Sequence, residues 1–268
     1  MNLRPPAAAG QDSPSLEVTF TPAEFAALKY RDLSATACVV FDVLRATSTM
    51  ITALANGAKE IIPVLEISEA LAIRAAQPTV LLAGERDGLR IRAAQSGGID
   101  FDLGNSPREF DPKIVRGKTI VMTTTNGTRA LRASAHAQKV LVGGFLNLSA
   151  LADWITRHKP SALLLICAGT FEEAAYEDTL AAGALVELVA GMNSSRALSD
   201  SAQMARQIFL SNRTDLIGSM PFSKNARRLR ANPDLNDDVA FCLERDRFPL
   251  VPGMRDGSIS VSDVLGLG

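Results

Sequence analysis

Short apolar runs recur along this chain, and each ends on polar residues before a helix-like stretch begins. The runs are Ala37–Phe41, Thr79–Ala83, Thr119–Met122, Val140–Val142 and Ala162–Ile166. Their followers are Asp42 with Arg45, Gly84-Glu85-Arg86, Thr123-Thr124-Thr125-Asn126-Gly127, Asn147, and Cys167-Ala168-Gly169. Continuous apolar runs of this length read as strands buried on both faces. Strands that alternate with helices demand an α/β architecture. In open sheets of that kind, ligands bind outside the carboxyl ends of the strands. The polar followers therefore read as one rim, and the chemistry is expected there.

The remaining elements fit the same rhythm. Leu16–Phe20 alternates weakly and reads as an edge strand. Thr21-Pro22-Ala23-Glu24 then opens a short helix, with Thr21 as N-cap, Pro22 at N1 and Glu24 completing a capping box. Ala46 to Asn56 reads as a helix stopped by Asn56-Gly57. Glu60–Val64 is a strand whose Pro63 suggests a place near an edge. Ser68 to Ala76 is a helix. Gly84 to Gly117 has no sustained periodicity and reads as one long, functional loop. Helices are expected from Thr128 to Ala135, over 149–158 and over 177–190, with strands over 139–143 and 162–167. From about 199 to 244 the strand signal gives way to helical pieces. Ser258–Val261 returns as a short strand. The expectation is a three-layer α/β/α fold with a mainly parallel or mixed sheet and a helical C-terminal region. Residues 1–14, rich in Pro and Ala, read as a disordered lead-in, and 15–268 as a single domain.

Composition narrows the partners. The chain has 268 residues and a net charge of −1, so no basic field invites nucleic acid. The basic stretch Lys224 to Arg230 has Ala226 and Leu229 interleaved at helical spacing. It reads as a solvated helix face before a polyanion site. Three cysteines with no CxxC pair indicate a reducing compartment. With only two histidines, a metal would be held by carboxylates, which favours Mg²⁺ or Mn²⁺. No apolar run approaches the ~20 residues of a membrane span, and Met1 to Pro14 lacks a signal-peptide core. A cytoplasmic protein is expected.

Asp42-Val43-Leu44-Arg45-Ala46-Thr47-Ser48-Thr49 places a carboxylate at a strand end, then an arginine, then hydroxyls at a helix start. Asp42 can hold a metal while Arg45 and the free N–H groups hold phosphate oxygens. Equally, Thr47 or Ser48 can simply cap the helix. Thr124, Thr125, Asn126, Gly127 and Thr128 form an uncharged anion cradle between strand and helix, with Gly127 permitting close approach. Glu85 is a candidate metal ligand or general base. Asn105 and Ser106 read first as a turn before Pro107, and as contacts to an anionic substrate second. Glu177 and Asp178 open a helix, where acids favour the dipole; one of them can also reach a metal. Cys167 is a poor phosphatase nucleophile, because position 173 is Glu where an arginine is needed. No GxxxxGK[ST], GxGxxG or GxSxG motif is present, and position 44 is Leu where an aspartyl phosphatase carries a second Asp.

In their order along the chain, these segments resemble the 2-phosphosulfolactate phosphatase family of coenzyme M biosynthesis. The resemblance is carried by Asp42 to Thr49, Asn56-Gly57-Ala58, Gly84-Glu85-Arg86, Phe101 to Pro107, and Thr124 to Thr128. It continues through Cys167-Ala168-Gly169, Glu177 to Gly183, Asp238-Val239 and Val251-Pro252. The resemblance implies a Mg²⁺-dependent phosphatase acting on 2-phospho-3-sulfolactate or another small phosphorylated 2-hydroxy acid, and a homodimer. In this scheme Asp42, Glu85 and Glu177 or Asp178 hold Mg²⁺. Arg45 and the Thr124–Thr128 loop stabilise the phosphoryl oxygens, Glu85 orients the attacking water, and Arg86 meets a second anionic group. A covalent aspartyl phosphate on Asp42 stays open. The alternative is a non-catalytic anion-binding or regulatory protein using the same rim; a nucleotide-using transferase is disfavoured by the missing phosphate loop.

Overall fold

The all-buried run Thr36–Phe41 lies in the interior of one large sheet, as its continuous apolar sequence requires. The computed structural model describes residues 15–192 and 196–261. The expected lead-in, 1–14, lies outside the described residues. In chain order the strands are β1 (Ser15–Thr19), β2 (Thr36–Phe41), β3 (Glu60–Val64), β4 (Leu81–Arg86), β5 (Leu89–Arg90) and β6 (Thr119–Thr123). They continue with β7 (Lys139–Gly143), β8 (Ala162–Cys167), β9 (Ala197–Leu198), β10 (Gly253–Arg255) and β11 (Ser258–Ser260). Their order across the sheet is β5-β4-β6-β3-β11-β10-β7-β2-β8-β1-β9.

The sheet is mixed in a particular way. β4, β6 and β3 are mutually parallel, and so are β7, β2, β8, β1 and β9. The antiparallel hairpin β10–β11 joins the two sets. Following the ladder through that hairpin, the two parallel sets run in opposite directions. Even so, Asp42 after β2, Glu85 on β4, and Thr125 and Asn126 after β6 line one cleft.

β2 shows why three layers form. Ala37, Val39 and Phe41 face a core shared with the helices Leu148–His158, Tyr176–Met192 and Asp200–Asn212. Cys38 and Val40 face a second core with the helices Ala46–Ala55 and Gly127–Ala133. Val64, Leu82 and Val121 build a smaller core beneath the helix Ile67–Ala76. The expected α/β/α arrangement is therefore present. Among the described residues, no helix is long and apolar enough to cross a membrane.

Three local expectations differ from the structure. β1 is not an edge, because β9 pairs outside it. β3 lies inside the sheet; Pro63 is accommodated because β11 pairs with β3 only at Ile61. Gly84 to Gly117 is not one loop. β4 continues to Arg86, and Asp87-Gly88, both at left-handed φ (56° and 76°), turn the chain into β5. Asp-Gly suits this two-residue hairpin turn, since both positions need φ > 0. Helical turns at Ala93–Ser96, Pro107–Glu109 and Pro112–Val115 fill the rest. The helical region resolves into Asp200–Asn212, Leu216–Ser219, Lys224–Arg230 and Asn236–Cys242; Lys224–Arg230 lines the cleft, and Asn236–Cys242 reaches its Arg45 through Asp238.

Candidate active site

β2 delivers Asp42 to the start of the helix Ala46–Ala55. The buried Asp42 carboxylate accepts the Ala46 N–H at 3.1 Å. Asp42 thus takes a capping role expected of Thr47 or Ser48. Thr47 instead locks the turn, accepting from the Asp42 N–H at 3.0 Å and donating to the Asp42 carbonyl at 2.9 Å. Gly127, after β6, comes in from the other side. A Cβ there would stand 2.8 Å from Asp42 Oδ2 and 2.7 Å from Ala46 Cβ, so only glycine permits this approach. Burial pushes the Asp42 carboxyl from 3.8 up to about 7. The Ala46 and Gly127 N–H groups pull it down, while the charges of Glu85 and Glu177 add to the rise.

Glu85 stands at the end of β4, across the cleft. Its Oε1 accepts both the N–H and the hydroxyl of Thr125, each at 2.9 Å. Its Oε2 accepts the Gly88 N–H at 2.6 Å. The carboxylate is thus fixed between the hairpin turn and the loop after β6.

Arg45 is buried and held at both ends of its guanidinium. Nη1 donates to Asp238 at 2.7 Å and Nη2 to the Gly88 carbonyl at 2.6 Å. Asp238, on the helix Asn236–Cys242, is wholly buried. It also accepts from the Ser106 hydroxyl at 2.7 Å and from Arg108 Nε at 2.9 Å. Ser106 therefore acts on Asp238 and does not face the cleft.

Glu177 and Asp178 are buried but already engaged. Asp178 accepts the N–H groups of Val43 at 2.8 Å and Gly169 at 3.2 Å, tying the loops after β2 and β8 together. Glu177 accepts from Ser223 at 2.6 Å and from Asn225 at 2.7 Å. Burial raises both carboxyls, and for Asp178 the charges of Glu177 and Asp42 add to it. Asn225 also donates to Thr170 Oγ1 at 2.5 Å. Glu177 thereby anchors a cleft residue without lining the cleft itself.

Of the residues expected at the site, the cleft gathers Asp42, Arg45, Glu85, Asn105, Thr125 and Asn126. Thr124 and Thr128 lie behind, bonded to one another through hydroxyl and N–H groups. Arg86 points elsewhere: it donates to the Leu65 carbonyl and the Thr123 hydroxyl, at 3.2 and 3.0 Å. Arg86 is therefore not among the residues lining this cleft. Neither Glu177 nor Asp178 lines the cleft beside Asp42 and Glu85. Among the described residues, no three Asp, Glu, His or Cys side chains are grouped to hold a metal by themselves. Asn105 Oδ1 and Asn126 Oδ1 are buried with no hydrogen-bond partner. Cys167 is buried, and burial first, then Asp178, raises its thiol well above its usual range. Asn147 is structural: it donates to the Val142 and Leu250 carbonyls, each at 3.1 Å.

Asp87, Asn225 and Arg228, which line the cleft, and Asp238, which holds Arg45, were not among the expected site residues. The signal that could have found Asp87 is the Asp-Gly pair itself, which favours a two-residue hairpin turn. The stretch Lys224 to Arg230 signalled a helix, and its buried Ala226 and Leu229 face the protein as expected. Its Arg228, however, reaches the Asp87 carbonyl at the cleft mouth.

A family model described as 2-phosphosulpholactate phosphatase matches residues 20–257. A probable 2-phosphosulfolactate phosphatase of Caldanaerobacter subterraneus subsp. tengcongensis is 39% identical over 234 residues, covering 87% of this chain and 93% of the relative. The protein of the same description from Clostridium acetobutylicum is 36% identical over 222 residues, 82% of this chain and 90% of its own length. The one from Thermotoga maritima is 38% identical over 219 residues, 82% of this chain and 89% of its own.

Proposed function

The chain belongs to the 2-phosphosulfolactate phosphatase family, and on that premise we propose that it hydrolyses the phosphate monoester of 2-phospho-3-sulfolactate to sulfolactate and phosphate. One observation carries this reading beyond the family: Asp42 and Glu85, from strands of the two opposed sets, face one cleft together with Arg45.

The cleft lining has three carboxylates, Asp42, Glu85 and Asp87, against two guanidiniums, Arg45 and Arg228. That balance is poor for a multiply charged anion and supports an added cation. The donor set fits Mg²⁺, which is held by one or two carboxylates and keeps several waters. Asp42 and Glu85 would hold it, with the unpartnered amide oxygens of Asn105 and Asn126 as further hard donors. Bound there, Mg²⁺ would supply charge stabilisation to the phosphoryl group. Arg45, preorganised by Asp238 and Gly88, faces the equatorial oxygens with no reorganisation needed as charge develops. Glu85 orients the attacking water, its own position fixed by Thr125 and Gly88.

Phosphate release from a panel of phosphorylated 2-hydroxy acids tests the reading. Release should require Mg²⁺ and stop with EDTA. Asp42→Asn and Glu85→Gln should each lower kcat by roughly 10²–10⁴, the range for a positioned acid–base or electrostatic group. No release from any panel member with Mg²⁺ present, or variants that turn over like wild type, would sink it.

A further inference from the structure

We propose that Arg228 is the specificity-determining residue of the cleft and binds the sulfonate arm of the substrate; this rests on the function proposed above. The two guanidiniums of the lining differ in what they have free. Arg45 is buried, and each of its terminal nitrogens already gives one N–H away, to Asp238 and to the Gly88 carbonyl. Arg228 is exposed, and among the described residues its one hydrogen bond goes to the Asp87 carbonyl. Most of its five donors are therefore open to the cleft mouth.

Position separates the two as well. Asp42, Glu85 and Arg45 are buried and form the deep pole, where the phosphoryl group is processed. Arg228 comes from the helix Lys224–Arg230 and lies over the hairpin turn, its guanidinium carbon 3.8 Å from where a Gly88 Cβ would stand. A group bound by Arg228 thus extends outward from the phosphate. In 2-phospho-3-sulfolactate the carboxylate shares the phosphate-bearing carbon, whereas the sulfonate sits one carbon further out. The sulfonate is the group that reaches a mouth residue, and its oxygens suit the planar donor fork of arginine. Asp87, whose carboxylate lies 3.7 Å from Arg228, partly offsets that charge in the free protein.

The test compares kcat/KM for three esters: 2-phospho-3-sulfolactate, 2-phospholactate (no sulfonate) and 2-phosphooxypropane-1-sulfonate (no carboxylate). Arg228→Gln should lower the ratio of sulfolactate ester to lactate ester by about tenfold or more, the worth of one charged hydrogen-bonded contact, mainly through KM. Arg228→Lys should restore part of the ratio. Asp87→Asn, which keeps the turn and its carbonyl, should lower KM for both sulfonates by roughly two- to fivefold, as for an exposed ion pair. A loss in Arg228→Gln that is equal for all three esters would mark a merely structural role and refute the assignment. So would a penalty that follows the carboxylate. If wild type releases phosphate from none of the three, the proposed function fails and the assignment with it. Wild-type turnover with an unchanged ratio in Arg228→Gln refutes the assignment alone.

Discussion

Asp42→Asn should make the protein more stable, and the gain should depend on pH. The Asp42 carboxyl titrates near 7 in the folded chain against an ordinary 3.8, with burial as the main cause. Its folded value lies above its unfolded value, so between about pH 4 and pH 7 the unfolded chain ionises first. Stability is then lost as pH rises through that window, and the loss is complete above pH 7. At about 1.4 kcal/mol per pH unit the full loss is on the order of 4 kcal/mol. Asparagine removes the charge but turns an NH₂ toward one of the N–H donors from Ala46 and Gly127, which costs about 1–3 kcal/mol. The net gain at pH 8 should therefore be about 1–3 kcal/mol.

Urea unfolding of both proteins at pH 4.5 and pH 8, without divalent cations, measures this directly. The stability difference between variant and wild type should favour the variant by at least ~2 kcal/mol more at pH 8 than at pH 4.5. Thermal midpoints should follow at about 2–4 °C per kcal/mol. Added Mg²⁺ at 100 times its Kd should then stabilise wild type by about 2.7 kcal/mol and the variant much less. A pH-independent difference would refute the reasoning, because it would mean that the buried carboxylate is not destabilising as a charge.

Three other perturbations follow from the same geometry. Gly127→Ala drives a methyl to within 2.8 Å of Asp42 Oδ2; it should cost about 1–3 kcal/mol in urea unfolding and lower kcat as Asp42 is displaced. Asp238→Ala leaves the Arg45 guanidinium buried without its partner, so a loss of about 3–5 kcal/mol is expected, read by the same method. Thiol labelling at pH 8 should find no reactive cysteine until the protein unfolds, since burial raises Cys167 well above its usual range and Cys38 and Cys242 to about 12; Cys167→Ala should retain turnover.

Much of this was legible because it is written locally. Ala162–Cys167 and Glu60–Val64 are strands whose apolar runs and polar borders fix their ends. Asp42, Glu85 and Thr125 stand where strands stop, so the rim could be named in advance. What was hidden depends on partners far along the chain. Glu85 looked like the first turn of a loop because Gly84 ends an apolar run; it is held instead by the β4–β5 pairing and by Thr125. Nothing near Glu177 in sequence announces Ser223 or Asn225, which occupy it. The opposed strand sets were hidden too, because they depend on β10 and β11, two short strands at the far end of the chain.

The Arg45–Asp238 pair shows what the helical region adds. Its side chains are 2% and 0% exposed, so both charges have lost their water. A buried ion pair is weak evidence for stability, since a well-packed apolar pair of similar volume is often as stable or more so. Stability alone thus gives little reason to join these residues across 193 positions of sequence. Positioning does. Asp238 also takes Ser106 and Arg108, so one carboxylate fixes the segment bearing Asn105 and the guanidinium beside Asp42. Asp238→Asn can keep these contacts partly while lowering the charge on them. Like Asp238→Ala, it leaves the buried Arg45 charge uncompensated, so both variants should lose stability. If the pair also serves positioning, Asp238→Asn should lose kcat at temperatures where it is still fully folded; if it serves stability alone, the folded variant should turn over like wild type.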